Sequence, residues 1–241
     1  MCGYIRRVTD SPEVGNLLEE IGLGDLVPPL FRQAPGEMEH FYPAFGGNAE
    51  RRIRGLIIAD EGRPRLVDAT WWFDCVARDD RLEVGKRTTF NARNLDSPFW
   101  REPLRHHRGI VVATGIGESK KIGGRKHQYL MEGTRPFLLG ALYCPFPNGQ
   151  FSCAVITRDA HLKFESYHDK AFPLFLPPTP EFVDLWLDET ITQAREIDQL
   201  LEHPRLYANL EVEEVKTFKN GTVSPVATLL EADEEGDLAH P

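Results

Sequence analysis

The sequence predicts an α+β fold, a single domain in which mostly antiparallel strands fill the middle of the chain and helices stand at its front and back. Three observations lead there. Short apolar or β-branched runs broken by Gly, Pro, Asn and Asp recur from about residue 53 to residue 157. Helical signatures are confined to the two ends, which fits α+β better than alternating βαβ units. Neither an internal repeat nor a Pro/Ser-rich linker divides the 241 residues, so one domain over 1–228 is expected, with 229–241 as a tail.

In order along the chain, Ser11-Pro12 ahead of Val14, Leu17, Leu18 and Ile21 predicts a capped amphipathic helix. The serine oxygen can accept from an orphan amide, proline is pre-set for the first helical position, and Gly22-Leu23-Gly24 closes the segment. Residues 53–59, 66–73, 87–92, 109–114, 127–131, 136–143 and 151–157 read as strands. Thr179-Pro180-Glu181 opens a helix carrying Phe182, Val183, Leu185, Trp186 and Leu187. A second helix is expected from about Glu189 to Glu202, where His203-Pro204 stops it. Residues 208–217 form a further strand candidate, and the tail, acidic from Glu231 on, is expected to be disordered.

Net charge is −9, which by itself speaks against a nucleic-acid partner, but the charge is unevenly spread. Residues 1–130 hold 20 Lys and Arg against 18 Asp and Glu, residues 131–241 hold 8 against 19, and the window 86–127 holds 10 against 3. Such a window is either a solvated face or a basic surface that holds an anionic polymer locally. No charged-then-apolar leader and no eighteen-residue apolar run is present, so a cytoplasmic protein without a membrane partner is expected. Cys2, Cys75, Cys144 and Cys153 show neither C-x-x-C pairing nor zinc-finger histidine spacing, so no metal site or disulfide framework is expected. The last three lie in or beside apolar runs, where a thiol packs as a small hydrophobe.

The richest chemistry lies in Met1-Cys2-Gly3. Trimming of Met1, which a small second side chain permits, leaves an amine of pKa about 7.7–8.0 and a thiol near about 8.5 on neighbouring carbons. Such a 1,2-aminothiol condenses with an aldehyde to an imine and closes through sulfur into a thiazolidine; an interior cysteine cannot. Four further places stand out beside it. Thr88-Thr89-Phe90-Asn91-Ala92-Arg93-Asn94 is either a strand-end turn or a rigid mount from which Asn91 meets a carbonyl or ribose oxygen and Arg93 grips a phosphate. The run 109–118 is a buried strand entering Gly115-Ile116-Gly117 and delivering Glu118 at its end, either solvated or, among apolar neighbours, suited to proton transfer. His168, in Tyr167-His168-Asp169-Lys170, is lodged between two apolar runs, as a core histidine or a proton shuttle. Trp71-Trp72-Phe73 is either core or a stacking platform for unpaired bases, with Trp100, beside Arg101 and Arg105, as a second candidate.

Taken in order, Met-Cys-Gly at the start, Asn91-Ala92-Arg93 after a strand, Glu118 after the next apolar strand and His168-Asp169 followed by a basic residue and a proline resemble the SOS-response-associated peptidase (SRAP) family of abasic-site processing proteins. The resemblance runs from Cys2 to about Val226. It implies a barrel-like core of strands and a groove for single-stranded DNA. The family's nucleophile carries onto Cys2, its active-site asparagine onto Asn91, its acid/base carboxylate onto Glu118 and its histidine onto His168. The phosphate-holding arginine of its Asn-Ala-Arg motif falls on Arg93, and the tryptophan of the preceding strand on Trp71, with Trp72 where glycine is common. Arg101, Arg105, Lys120 and Lys170 are the further DNA contacts expected. The chain departs from the family at Tyr4, where arginine is usual, at Gly115 and Gly117, where an aromatic run leads into the glutamate, and at Lys170 in place of arginine. The family's asparagine-rich C-terminal strand is not recognisable in residues 223–228. These departures fall mostly on phosphate-contacting and base-stacking positions.

The function this implies is covalent capture of abasic sites in single-stranded DNA, as a thiazolidine crosslink through Cys2 with weak lyase activity, by a monomer needing no cofactor. Two rival readings are a thiol peptidase, acting at least on its own Met1-Cys2 bond, and a module that reads damaged or modified DNA without reacting.

Overall fold

The structure, a computed structural model, describes residues 3–223 and 227–234. The chain begins with β1 (Ile5–Val8), α1 (Pro12–Glu20), α2 (Val27–Phe31) and β2 (Met38–Phe41). The central strands are β3 (Arg52–Asp60), β4 (Arg63–Trp71), a small hairpin of β5 (Cys75–Arg78) and β6 (Arg81–Val84), and the short β7 (Asn91–Ala92). After α3 (Pro98–His106) come two long strands, β8 (Arg108–Ile122) and β9 (Arg125–Pro145), then β10 (Phe151–Arg158), β11 (Phe172–Pro173) and β12 (Phe175–Leu176). The chain closes with α4 (Pro180–Leu187), α5 (Arg195–Glu202), β13 (Leu210–Thr217), β14 (Asn220–Thr222) and β15 (Thr228–Leu230).

Strands β9, β10, β4, β3 and β8 pair in that order, and β8 pairs back onto β9 to close a five-stranded barrel. All these contacts are antiparallel except β10 on β4. Closure removes the sheet edges that an open sheet would leave unpaired. The long strands serve twice. Residues 108–113 of β8 face 137–142 of β9 within the barrel; past a register shift between Ala113 and Gly115, residues 115–122 face 125–132 as a projecting arm. One side of the arm carries β1 and then β2; the other carries β13, flanked by β14 and β15.

Period-two alternation sorts the core. Val111, Ala113, Leu139, Ala141, Cys153 and Val155 point inward with Trp71, while Ile110, Val112, Leu138, Leu142, Ala154 and Ile156 point outward under the helices. Both faces are therefore buried, each fully buried aliphatic side chain contributing about 1.5–3 kcal/mol relative to exposure. Helix α1 starts as expected, with the Ser11 hydroxyl accepting from the Val14 N–H at 3.3 Å. Arg108 is buried and donates to the carbonyls of Leu104, Arg105, Trp186, Asp188 and Ile191, so one guanidinium ties the C-terminal ends of α3 and α4 to the barrel.

Several boundaries differ from those read in the sequence. The helix expected from Glu189 begins only at Arg195, because Asp188 accepts from the Thr190 N–H and hydroxyl and turns the chain aside. Of the strand expected over 87–92 only Asn91–Ala92 pairs, since Thr89 is occupied in hydrogen bonds with Phe73 and Asp74. The apolar strand does not stop at Glu118 but runs on to Ile122. Residues 229–234, expected as tail, follow the sheet: β15 pairs with Leu210–Val212, and Asp233 is held against Leu206. Val223 precedes this segment; the tail from residue 235 lies outside the described residues.

Candidate active site

Glu118 stands in mid-strand on the arm, 1% exposed, opposite Tyr129. Two glycines before it make room on the opposite face of the strand. A Cβ on Gly117 would lie 2.7 Å from Phe218 and 2.8 Å from Tyr4, and one on Gly115 would lie 3.1 Å from Arg6. The departures at Tyr4 and Gly117 are thus one packing arrangement: the Tyr4 ring fills the space that a side chain at 117 would take. Tyr4 is fully buried, stacks on Phe218 at 4.9 Å and shares a 2.7 Å hydrogen bond with His40 Nδ1. Its backbone is fixed too, its carbonyl accepting from the Gly117 N–H at 3.0 Å.

His168, 5% exposed, comes to the same place from the loop between β10 and β11. That loop rests on the arm through Tyr167, whose ring lies edge-on to Tyr129 at 5.1 Å, and through Lys120, which donates to the Glu165 carbonyl and lies 3.9 Å from Asp169. His168 Nδ1 is 2.9 Å from the Ser119 carbonyl and 3.4 Å from Glu118 Oε2. A carbonyl can only accept, so Nδ1 carries the proton and Nε2 of the neutral ring keeps its lone pair. Burial pushes the Glu118 carboxyl above its ordinary range, and His168 works in the opposite direction only when it carries a proton on both nitrogens. Side by side stand an acid inclined to keep its proton and an imidazole able to take one, which is an arrangement for moving protons near neutrality.

Asn91 stands on another element, β7, in parallel register with Val155 of β10. Both its amide oxygen and its amide nitrogen are shielded from solvent and have no hydrogen-bond partner among the described residues. A polar group left so costs about 1–3 kcal/mol. A ligand oxygen that engaged the amide would recover that cost. Cys2 lies outside the described residues.

The expected DNA contacts divide. Arg93 is exposed, and its Nη2 pairs with Asp159 Oδ1 at 2.9 Å; that hydrogen bond holds the Asp159 carboxyl below its usual range. Arg93 and Arg158 line a cleft of about 320 Å³, which shares Leu95 and Asp96 with a second of about 180 Å³ lined by Arg101 and Arg105. Neither cleft is lined by Glu118, His168 or Asn91. Lys170 is exposed on the His168 loop.

The stacking role expected of Trp71 does not survive. Trp71 is 0% exposed and donates from Nε1 to the Phe90 carbonyl at 2.8 Å, because barrel closure turns its face of β4 inward. Trp72 is also buried, stacked on Phe90 at 5.8 Å, and Trp100 packs against Phe73. The exposed ring of this cluster is Phe45, edge-on to both Trp72 and Phe90 and passed over in the sequence reading. Its signal is the Gly46-Gly47 pair behind it, both at positive φ, which marks a loop tip. Among the described residues no group of three or more His, Cys, Asp or Glu is placed to hold a metal ion, and no helix is long and apolar enough to cross a membrane.

Comparison with known proteins gives this geometry a context. The chain is 30% identical over 121 residues to the Saccharomyces cerevisiae protein named abasic site processing protein YMR114C; the match covers 47% of this chain and 33% of that one, so the chain aligns with about a third of the yeast protein's length. Crystal structures of a protein from Bacteroides thetaiotaomicron and of a phage-related protein from Bordetella bronchiseptica share the fold. The former has a TM-score of 0.62 at 18% identity over 93% of this chain and 97% of its own, the latter 0.61 at 19% over 90% and 95%. The sequence profile described as SOS response associated peptidase (SRAP) matches residues 1–220. That match takes in the barrel and its arm over nearly the whole length: the chain belongs to the SRAP family.

Proposed function

We propose that this protein processes abasic sites in single-stranded DNA, capturing them as a thiazolidine crosslink through Cys2 once Met1 has been removed. The observation that carries the reading is the buried Glu118–His168 pair beside the first strand. Ile5 stands opposite Ile116 and the Tyr4 carbonyl bonds Gly117, so the described start of the chain runs alongside a residue adjacent to Glu118. Family membership and the name of the yeast relative point the same way.

In the closed sugar, His168 Nε2 takes the proton of the C1′ hydroxyl and hands it to the ring oxygen, and the ring opens to the aldehyde. The Cys2 amine then adds to C1′. Glu118, whose burial favours its protonated form, donates to the departing hydroxyl, so that water leaves and the imine forms. The thiol sulfur next adds to the imine carbon, its proton passing to nitrogen, and the five-membered ring closes. Asn91 meets the sugar or Cys2 through its waiting amide. At the imine stage, loss of a C2′ proton expels the 3′ phosphate, which gives the weak lyase reaction. Arg93, Arg101 and Arg105 supply salt-dependent attraction for phosphates, and Phe45 is the ring available to an unpaired base. A site without a base also spares the unstacking cost that an intact nucleotide imposes.

The test is incubation with an abasic-site oligonucleotide followed by mass measurement of the adduct. The expected product has the mass of protein lacking Met1 plus oligonucleotide less one water, and Cys2→Ala abolishes it on denaturing gels. An adduct that survives in Cys2→Ala, or reversible binding alone by the wild-type protein, sinks the reading.

A further inference from the structure

The loop that delivers His168 is held from behind by the C-terminal segment. Between β10 and β11 it contains a short 3₁₀ turn, Leu162–Phe164, and the main chain of His168 hangs on it: the Tyr167 and His168 N–H groups both donate to the Phe164 carbonyl, at 2.8 and 2.7 Å. Phe164 itself is fully buried. Whatever fixes this turn therefore sets where the His168 ring arrives beside Glu118.

The turn is fixed by Asp233. One carboxylate oxygen lies 3.0 Å from His161 Nε2 and accepts from the Leu206 N–H at 2.7 Å; the other lies 2.7 Å from Lys163 Nζ. Lys163 also donates to the Glu231 and Ala232 carbonyls. The Asp233 side chain is 5% exposed, so these charge-assisted bonds lie under cover rather than on a solvated surface. His161 Nδ1 accepts from the Lys163 N–H at 3.3 Å, which leaves the proton on Nε2, pointing at Asp233. The neutral imidazole thus already makes the bond, and its ring is stacked on Phe172 at 4.7 Å. Burial works against ionisation of Asp233, but bonds from His161, the Leu206 N–H and Lys163 overcome it and hold the carboxyl far below its ordinary range. The segment carrying Asp233 is anchored independently, through β15 on β13, the Ala232 N–H on Asn209 Oδ1 and the Asp233 N–H on the Leu206 carbonyl.

We infer that Asp233 is a positioning residue for the reaction: with His161 and Lys163 it makes the C-terminal segment a strap that holds the His168 loop in register with Glu118. The inference rests on the abasic-capture reading for its consequence, though the strap itself can be measured without it.

The experiment compares full-length wild-type protein, Asp233→Asn and, as a control whose exposed side chain takes no part in the strap, Glu231→Gln. Amide hydrogen exchange is followed at 164–168 and along β8, and single-turnover crosslinking to an abasic-site oligonucleotide is measured over a range of DNA concentrations. In Asp233→Asn the maximal rate should fall about tenfold, because a small misplacement of a proton-transfer group suffices for that. The half-saturating DNA concentration should stay within about twofold, since phosphate contacts are untouched. Exchange at 164–168 should quicken while β8 stays protected, and Glu231→Gln should match wild type. Unchanged exchange and maximal rate in Asp233→Asn overturn the inference. If that variant loses protection along β8 as well, Lys163→Met, which leaves the bonds of Asp233 to His161 and Leu206, takes its place; about threefold slower crosslinking is then expected, and no change overturns it. Should the wild type form no crosslink, the capture reading falls, and exchange at 164–168 alone decides for or against the strap.

Discussion

Glu118 and Arg93 both bring a titratable side chain to the end of a short motif, yet they sit in opposite surroundings. Glu118 is enclosed on the arm, its carboxyl pushed toward the neutral form by burial and faced by an imidazole. Arg93 is exposed and paired with Asp159, which is almost wholly in solvent. Low dielectric and fixed neighbours make the first region a place to move protons, whereas the second offers attraction that salt screens and a phosphate can take over. Chemistry and affinity should accordingly separate under mutation.

The largest effect should come from Glu118→Gln. It keeps the shape and removes the proton, so crosslinking should slow by about 10²–10⁴-fold while affinity for an intact single strand stays within about twofold. A parallel loss of binding would erase the distinction between the two regions. The same variant tests the burial argument through stability. A carboxyl whose folded-state pKa is raised binds its proton more tightly than the unfolded chain does, so stability is lost as pH climbs above the unfolded value, near about 4.5. Glu118→Gln should therefore melt higher than wild type at neutral pH, by a few degrees, and the gap should close as pH falls toward that value.

Next in size is Trp71→Ala, which should destabilise the protein by about 3–5 kcal/mol in denaturant titrations and leave the affinity of the folded fraction for DNA unchanged. A selective loss of affinity with normal stability would return Trp71 to the DNA surface. Smaller still are the changes at the exposed pair. Arg93→Ala should weaken single-strand binding by about tenfold at low salt and reduce the magnitude of the salt slope by about one. Asp159→Asn should strengthen binding by about twofold to threefold, by releasing Arg93 from its present partner. Shifts of opposite sign in these two, measured by fluorescence anisotropy across salt concentrations, sharpen the contrast with Glu118. No shift in either would mean that phosphates pass elsewhere.

Much of the fold was legible because its signals are local. Ser11-Pro12 and Thr179-Pro180 cap helices as read, and the runs about 53–59, 109–114, 136–143 and 151–157 are strands, while the run 66–73 is one as far as Trp71. Helix α3 has no clear signal in the sequence although Ser97-Pro98 carries the same start signature, since Pro103 and a charged stretch interrupt any apolar period. The small strands β1 and β2 and the β5–β6 hairpin are too short to stand out by pattern. Gly115 and Gly117 read as the end of a strand but serve its continuation, because the missing side chains belong to the packing of Arg6, Tyr4 and Phe218.

The sequence by itself determined the strand-rich middle, the helix starts and the order of Cys2, Asn91, Glu118 and His168, because alternation, capping chemistry and motif order are properties of neighbouring residues. Tertiary structure alone decided that Trp71 faces a closed barrel, that Glu118 meets an imidazole fifty positions away, that Arg93 is held by Asp159 and that Asp233 returns to the His168 loop. Closing a sheet buries the inward face of its strands and the helices cover the outward one, while ion pairs join residues whose separation in sequence carries no trace of their nearness in space.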